Sequence, residues 1–206
     1  LLDGACRIER LIERVKALGQ SAVAITDHGV MFGSVDFYKC AKKHGVKPII
    51  GCEVYVAPRS RFDKQHKIDT SPYHLILLCK NETGYQNLIK MVSAGFVEGF
   101  YSKPRIDRAL LEQYHEGLIC LSACLAGEIP RMLAQGDYAC AKETAVWYRD
   151  LFGADNYYIE IQNHGIRLQQ QILPDLVRLA GEIGVGLVAT NDAHYIEKAD
   201  ARMQSV

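Results

Sequence analysis

The sequence predicts an α/β fold in which strands and helices alternate along one chain. Apolar runs of strand length recur six times, and segments with a helical apolar period separate most of them. Such alternation is typical of a largely parallel sheet or a barrel. The chain has 206 residues, 49% of them hydrophobic, which is enough for one domain with a substantial core. We therefore predict a single domain over residues 1–206.

The predicted strands are short apolar runs bounded by glycine or polar residues. They cover residues 21–26, 47–57, 73–79, 117–124, 156–162 and 184–190. The second and third strands are joined by a polar, basic loop at 58–72 that has no helical pattern. We therefore expect the third strand to run antiparallel to the second. The last strand, which contains "LVAT", is expected to be buried.

The predicted helices carry apolar residues at helical spacing and end near a glycine. They cover residues 7–19, 35–45, 83–95, 138–153 and 168–184, and a short helix is expected after 101–107. In the first helix the apolar residues that share one face are Ile8, Leu11, Ile12 and Val15. The glycines expected at C-cap positions are Gly19, Gly45, Gly95, Gly153 and Gly184.

Composition and charge limit the classes of function. Lys and Arg total 24, as do Asp and Glu, so the formal net charge is zero and any polyanion site must be local. The seven cysteines are odd in number and show no CxxC spacing, which indicates reduced thiols.

No run reaches the roughly 20 apolar residues of a membrane span, and no signal-peptide pattern is present. We expect a soluble cytoplasmic protein without a membrane partner, and a start at Leu1 indicates a fragment of a longer chain.

Polar residues follow several of the predicted strands. In parallel α/β folds the carboxyl ends of the strands meet at one edge, and functional groups concentrate there. The polar residues at these positions are Asp27, His28, Gly29, Glu53, Cys124, Gln162, Asn163, His164, Asp192 and His194, and His74 begins the antiparallel strand. We expect these side chains to converge on one rim.

Each of these residues alone has a simpler interpretation. Asp-His-Gly after a strand is more often a turn, a Glu in a half-exposed strand is usually solvated, and a free Cys is usually a small buried hydrophobe. Asp192 and His194 are more specific, because residues two apart in an extended segment point to the same side and can bind one cation. Together the His, Asp, Glu and Cys side chains exceed the four ligands of a tetrahedral zinc site. They predict two or three divalent ions and the hydrolysis of a phosphate ester.

The strings "LLDG", "AITDHG", "GCEVYVA", "GLICLSACLAGEIP" and "ATNDAHY" resemble the PHP (polymerase and histidinol phosphatase) domain family. Within this family, the sequence resembles the form of the domain found at the N-terminus of the alpha subunits of bacterial DNA polymerase III. The resemblance spans essentially the whole chain. It implies a distorted seven-stranded (β/α) barrel. The first strand of the family, with its His-x-His pair of ligands, precedes "SLLDG" and is expected to be missing from this sequence.

The resemblance implies a ligand set for Zn, Mn or Fe, in a cluster of two or three ions. Its members are Asp3, His28, Glu53, His74, Cys124, Asp192 and His194. Asp192, His194 and His28 are predicted to be catalytic. The activity implied is a metal-dependent 3′→5′ exonuclease that acts on the primer 3′ end within the polymerase subunit. The polymerase domains themselves are expected to lie outside residues 1–206.

Two other functions stay open at this point. The domain can be a catalytically silent module that braces the rest of the alpha subunit and the other subunits of the replicative holoenzyme. It can also be a stand-alone phosphatase that acts on a small phosphate monoester.

A second group of residues is predicted to bind the DNA substrate. Lys103 and Arg105 lie in an irregular loop stiffened by Pro104, where a phosphate contact and a solvated loop are both compatible with the sequence. His164 is expected to bind substrate or to donate a hydrogen bond to a metal ligand. The charged run of Arg59, Arg61, Lys64 and Lys67 can contact DNA, although such a run is usually a solvated surface.

Overall fold

A computed structural model of the chain describes residues 4–204, and it confirms the predicted α/β fold. The strands are β1 (Ala22–Ile25), β2 (Lys47–Val56), β3 (Tyr73–Cys79), β4 (Arg105–Ile106), β5 (Leu118–Leu121), β6 (Tyr157–Ile161) and β7 (Gly186–Ala189). The helices are α1 (Ile8–Ala17), α2 (Ser34–His44), α3 (Glu82–Val97), α4 (Arg108–Tyr114), α5 (Glu128–Ala134), α6 (Tyr138–Phe152), α7 (Arg167–Ile183) and α8 (Ala201–Gln204), with a 3₁₀ helix at Lys198–Asp200. Within residues 4–204, no helix has both the length and the hydropathy that a membrane crossing requires.

The contacts within the chain divide it into two compact units. The first unit contains residues 4–25, 32–50 and 191–204 of the described chain, and the second contains residues 26–31 and 51–190. The single domain over residues 1–206 stays a prediction.

The first unit packs two helices against a pair of parallel strands. β1 pairs with the first four residues of β2, Lys47–Ile50. The predicted apolar face of α1 is confirmed, because Ile12 and Val15 are buried and Ile8 and Leu11 pack against them. The buried core of this unit consists of Ile12, Val15, Phe37, Ala41 and Val46.

The second unit is built on a sheet with one reversed strand. Its strand order is β2-β3-β5-β6-β7, and β4 pairs with β2. β3 runs antiparallel to β2, as the loop at 58–72 predicted, and also to β5, and the other pairs are parallel.

The period of two in β2 divides its side chains between two faces of the sheet. Cys52, Val54 and Val56 enter the large core formed with α3–α7. Glu53 and Tyr55 therefore point to the opposite face, where a small apolar cluster is centred on Ile76, Leu121 and Ala123. This second face holds the candidate site.

Three differences from the sequence prediction concern short elements and one glycine. Residues 101–107 were expected to be irregular, but Arg105–Ile106 forms β4, which is too short to show an apolar period. The seven-residue helix α5 was not predicted, for the same reason. Gly95 is not a C-cap but lies inside α3, where an added Cβ would come within 3.4 Å of the Pro104 backbone. At that distance an added Cβ makes ordinary van der Waals contact, so the packing does not require a glycine there.

The prediction that the last strand is buried is wrong. Leu187 in β7 is 42% exposed, and Gly186 and Ala189 are exposed as well. β7 pairs with β6, and the described residues supply no strand on its other edge. An apolar run in an edge strand can therefore look like a buried strand in the sequence.

Candidate metal centre

Three predicted ligands, His28, Glu53 and His74, meet on the second face of the sheet. The Nδ1 atom of His28 lies 3.4 Å from Glu53 Oε1, and His74 Nδ1 contacts the same oxygen more closely. One potential ligand atom from each residue lies within 4.8 Å of the others. Glu53 is buried, with 4% of its surface exposed, and the two histidines are partly exposed. The three side chains are thus placed to share a metal ion.

Strand register explains why these residues meet. Glu53 pairs with Ile76 across the antiparallel β2–β3 ladder, so His74 is its diagonal neighbour on the same face. His28 reaches the site through a parallel bridge, in which Glu53 N–H donates to Asp27 O at 3.1 Å and Gly29 N–H donates to Glu53 O at 2.9 Å. Three distant sequence segments are therefore joined by backbone hydrogen bonds.

Gly29 shows that the Asp-His-Gly string is a turn as well as part of the site. Its φ is 67°, in the left-handed region that favours glycine. An added Cβ would lie 2.8 Å from Pro104 Cγ and 3.0 Å from the Tyr55 ring. The string therefore forms the turn that its simpler interpretation predicted, and this turn brings His28 beside Glu53.

The electrostatics of the site keep the Glu53 carboxylate charged. Burial alone would raise the pKa of Glu53, but hydrogen bonds from His28 and His74, with their positive charge, outweigh it and lower the pKa to about 2. Burial raises the pKa of the neighbouring Asp27, against the opposing charge of His28. An ionised carboxylate in a buried position is a suitable metal ligand.

Cys124 also lies beside this group. Its Sγ atom is 3.7 Å from His74 Nδ1. The loop that carries it is tightly folded, because Ala123 has a φ of 64° and Gly127 N–H donates to Cys124 O at 2.8 Å. His74 N–H donates to Ala126 O at 3.1 Å, which attaches this loop to the start of β3.

Tyr55 belongs to the site, although the sequence analysis did not select it. Its ring makes an edge contact with His74 at 5.2 Å between centroids and stacks with His28 at 6.1 Å. The available signal was its position two residues after Glu53, which places both side chains on one face of β2.

The two basic residues predicted to bind DNA in the loop before α4 differ in exposure. Lys103 is exposed, and its Nζ lies 5.3 Å from the centroid of the Tyr55 ring. Arg105 is 0% exposed, and its guanidinium donates to the carbonyls of Gly99, Asp69, Arg61 and Asp63. We correct the prediction for Arg105, because its donors are used inside the protein.

The basic run at 59–67 is also largely paired. Arg59 donates to both carboxylate oxygens of Asp69, at 3.1 and 2.6 Å. Arg61 bonds to Asp107 at 3.0 Å and to Glu98 at 2.6 Å. The arginines are therefore paired with acidic side chains of the protein, and Lys64 and Lys67 are exposed lysines of the loop.

His164 is exposed and bonds to Gln169 at the start of α7. Its N–H donates to Gln169 Oε1 at 2.8 Å, and its Nδ1 lies 3.1 Å from Gln169 Nε2. The same glutamine leads to a polar network at the ends of β6 and β7 that contains Glu160, Gln162 and Thr190. The sequence analysis missed this network, although Glu160 interrupts the apolar run "YIEI".

Asp192 and His194 lie in the first unit. The Nδ1 atom of His194 is 2.8 Å from the carbonyl of Asp192 and 3.7 Å from its Oδ1. Asp192 has a φ of 46°, and Ala5 N–H donates to His194 O at 2.7 Å. The two side chains lie close together, but the segment is not the extended one that the prediction assumed, because Asp192 is in the left-handed region. Asp3 lies outside the described residues.

The donor set in the second unit fits a transition metal. His28 and His74 supply imidazole nitrogens, Glu53 an ionised carboxylate, and Cys124 a thiol sulfur beside them. Imidazole, carboxylate and thiolate bind Zn, Mn and Fe, whereas Mg and Ca prefer all-oxygen sites.

Comparison with known sequences places the chain in a family. The profile of the PHP domain matches residues 1–164. The chain is 53% identical over 207 residues to DNA polymerase III subunit alpha of Treponema pallidum, with 100% of the chain and 18% of that relative covered. It is 47% identical over 210 residues to the same subunit of Thermus aquaticus, with 100% and 17% covered. The chain thus spans less than a fifth of the length of these relatives.

Solved structures of low sequence identity share the fold. An amidohydrolase from Chromobacterium violaceum with bound sulfate and no metal aligns with a TM-score of 0.53 and 14% identity, covering 94% of this chain and 84% of its own. A protein from Bifidobacterium adolescentis assigned as a metal-dependent phosphoesterase aligns with a TM-score of 0.55 and 12% identity, covering 95% and 85%. The match to the PHP domain profile over residues 1–164 shows that the chain belongs to the PHP domain family.

Proposed function

We propose that this chain is the PHP domain of a bacterial replicative DNA polymerase alpha subunit and that it acts as a metal-dependent phosphoesterase. The proposed reaction is 3′→5′ exonucleolytic removal of nucleotides from a primer end. The identity to DNA polymerase III alpha subunits over the whole chain supports the parent protein. The proposed compartment is the bacterial cytoplasm, where the relatives' replication function belongs.

The observation that carries the proposed chemistry is the His28–Glu53–His74 group with Cys124 beside it. We assign the metal ligands as Asp3, His28, Glu53, His74, Cys124, Asp192 and His194. Four of these are described together in the second unit, and Asp192 and His194 are placed next to each other in the first. Two or three ions of Zn, Mn or Fe would use this number of ligands.

The residues of the chain have distinct roles in this proposal. Bound divalent ions supply Lewis acidity at the phosphate and lower the pKa of a coordinated water. Glu53 stays ionised and fixes the positions of both imidazoles through its Oε1 atom. Lys103 carries its ammonium above the ring of Tyr55, which contacts His28 and His74, and it would there bind a backbone phosphate.

The proposal is tested by metal content and primer degradation together. The intact natural protein that contains this chain is purified, its Zn, Mn and Fe are measured by elemental analysis, and a primer with a 3′ mismatch is the substrate. Asp192→Asn removes one proposed ligand charge while asparagine tolerates the left-handed backbone of this position. We expect the variant to lose at least about 100-fold in primer degradation, since a catalytic metal supplies several kcal/mol of stabilisation to the transition state.

His66→Ala is the matched control, because His66 is exposed and lies outside the ligand set. It should keep both metal content and rate. The proposal is wrong if the parent protein binds no transition metal, or if Asp192→Asn degrades the mismatched primer at the parent rate.

A second function, as a bracing module within the polymerase, is favoured by an exposed apolar patch. The patch consists of Phe62, Phe96, Val97 and Phe100, and Val97 is 84% exposed. The rings of Phe96 and Phe100 lie 6.2 Å apart, and the Arg61–Glu98 ion pair joins the segment of Phe62 to that of Phe96–Phe100. Contiguous apolar surface of this kind marks interaction sites. We propose that the rest of the alpha subunit or another replicative subunit covers it.

The two functions separate experimentally. Val97→Ser on this patch should weaken the stability of the intact polymerase or its subunit assembly and leave metal content unchanged. Unchanged thermal unfolding and unchanged assembly by gel filtration would argue against the bracing function.

A further inference from the structure

The carboxyl end of β6 carries no residue of the proposed ligand set, yet it holds a polar network around one buried carboxylate. Glu160 is 4% exposed, and its carboxylate accepts hydrogen bonds from Thr190 Oγ1 and, at 3.2 Å, from Gln162 Nε2. Gln162 Nε2 also lies 3.2 Å from Thr190 Oγ1. A buried carboxylate costs several kcal/mol unless it is hydrogen-bonded, so these partners are needed to keep it there.

This network attaches β6 to the two strands on either side of it. The Glu160 N–H donates to Ser122 Oγ, just after β5, at 2.8 Å. Thr190, just after β7, bonds to Glu160 through its side chain and to Ile161 O through its N–H at 3.1 Å. Ser122 precedes Cys124 by two residues, and Thr190 precedes Asp192 by two residues. The two anchors therefore stand immediately before two proposed metal ligands.

Both ligand segments contain a residue with a strained backbone. Ala123 has a φ of 64° and Asp192 a φ of 46°, in the left-handed region that non-glycine residues rarely adopt. Such residues cost about 1–3 kcal/mol each and persist where the surrounding structure holds them. Ser122 lies one residue before Ala123, and Thr190 lies two residues before Asp192. The two residues thus provide such attachment points.

The network also borders the space beside Cys124. Cys124, Glu160, Gln162 and Gln169 line one small pocket whose apolar wall includes Ile172 and Leu176. Polar groups that hold metal ligands in place commonly surround metal sites, and their loss weakens metal binding. The placement of the network fits this role better than a contribution to stability alone, because an apolar side chain would fill the same volume without needing partners.

We propose that Glu160 and Thr190 are positioning residues: their side-chain bond holds the segment before Asp192, and the Glu160 carboxylate borders the pocket beside Cys124, whose segment Ser122 attaches to the Glu160 N–H. The inference rests on the proposed function, in which Cys124 and Asp192 are ligands.

The test measures metal affinity, with Co²⁺ alone as the probe, in the intact protein stripped of metal. Thiolate bound to Co²⁺ gives a charge-transfer absorption that reports Cys124 directly. Glu160→Gln and Thr190→Val should bind the same number of ions as the parent, with affinity about tenfold to a hundredfold lower. Thr190→Ser, which keeps the hydroxyl, should restore the parent affinity.

Two comparisons exclude simpler causes. Thr144→Val also removes a hydroxyl, one that contacts Met132 Sδ at 3.7 Å, and should lower thermal stability without changing metal affinity. Thr190→Val changes no charge, so weakened binding in that variant cannot come from a lost negative charge at Glu160. All titrations are made at a temperature where circular dichroism shows each variant folded.

The outcomes separate this inference from the function on which it rests. A parent protein that binds no Co²⁺ overturns both. If Thr190→Val binds Co²⁺ with the parent affinity, only the positioning roles are overturned, whether or not Glu160→Gln loses affinity. Loss of one whole ion in Glu160→Gln also overturns them, because Glu160 would then be a ligand.

Discussion

Glu53 illustrates how the environment of one residue decides its chemistry. In the sequence it is a single acidic residue in an apolar strand, where solvation is the ordinary expectation. In the structure it is buried, and two imidazoles share one of its oxygens. Their hydrogen bonds and charge overcome the effect of burial, so the pKa falls instead of rising.

The pKa of Glu53 predicts how stability depends on pH in the metal-free protein. Because the folded-state pKa of about 2 is below the ordinary value of 4.5, protonation favours the unfolded chain. The stabilisation is fully present above pH 4.5 and is lost as the pH falls toward 2. Its full size is on the order of 3 kcal/mol. Urea unfolding of the parent and of Glu53→Gln between pH 5 and about 2 measures it, and the variant should show the shallower dependence.

Glu182 supplies the matched control for this prediction. Its pKa is also lowered to about 2, by hydrogen bonds from Lys142, Arg178 and Tyr138, but it lies on the surface. Solvent screens such a cluster, so Glu182→Gln should change the pH dependence much less than Glu53→Gln. Equal changes in the two variants would contradict the role given to burial.

At the scale of elements, the loop at 58–72 shows that a basic run can be an internal scaffold. Arg59 and Arg61 are paired with acidic side chains, and Arg105 of β4 reaches back to carbonyls of this loop. The loop connects β2 to β3, which carry Glu53, Tyr55 and His74. The hydrogen bonds that keep the loop ordered therefore support the strand register that brings these three side chains together.

Arg105→Lys should destabilise the protein and loosen this loop. A lysine has one nitrogen in place of the three that serve four carbonyls, so buried acceptors lose their donors. We expect a loss of about 3 kcal/mol in the free energy of unfolding. Limited trypsin digestion should also cut faster after Lys64 and Lys67. Arg178→Lys, at an exposed ion pair, is the control and should cost much less stability. Parent-like cleavage of Arg105→Lys would refute the scaffold role.

At the scale of the whole molecule, metal binding should raise the thermal stability of the protein. A ligand that binds only the folded state stabilises it by about 4 kcal/mol when present at about 1,000 times its Kd. Thermal unfolding with and without added Zn²⁺ should therefore show a higher Tm with metal, and a chelator should reverse the shift. His74→Ala should lose the shift, whereas His66→Ala, an exposed histidine, should keep it. A shift of equal size in His74→Ala would place the metal elsewhere.

The fold class and several elements followed from local patterns. The third strand was predicted at the residues of β3, the antiparallel β2–β3 pair was predicted from its loop, and α1 buries the predicted face. The errors fall where local patterns carry little information. β4 and α5 are too short for a period, Gly95 lies inside α3 and not at its end, and β7 is an exposed edge strand.

Some features of the candidate site likewise followed from the sequence, and others only from the structure. By itself the sequence determined the α/β class, the family resemblance and the ligand residue types, because periodicity and residue chemistry are local properties. Only the tertiary structure decided that His28, Glu53 and His74 share one oxygen, that Tyr55 joins them, and that Arg105 is buried. These outcomes depend on strand register and on contacts between residues far apart in the chain. A linear pattern does not specify such contacts, since each is set by how the strands pair in three dimensions.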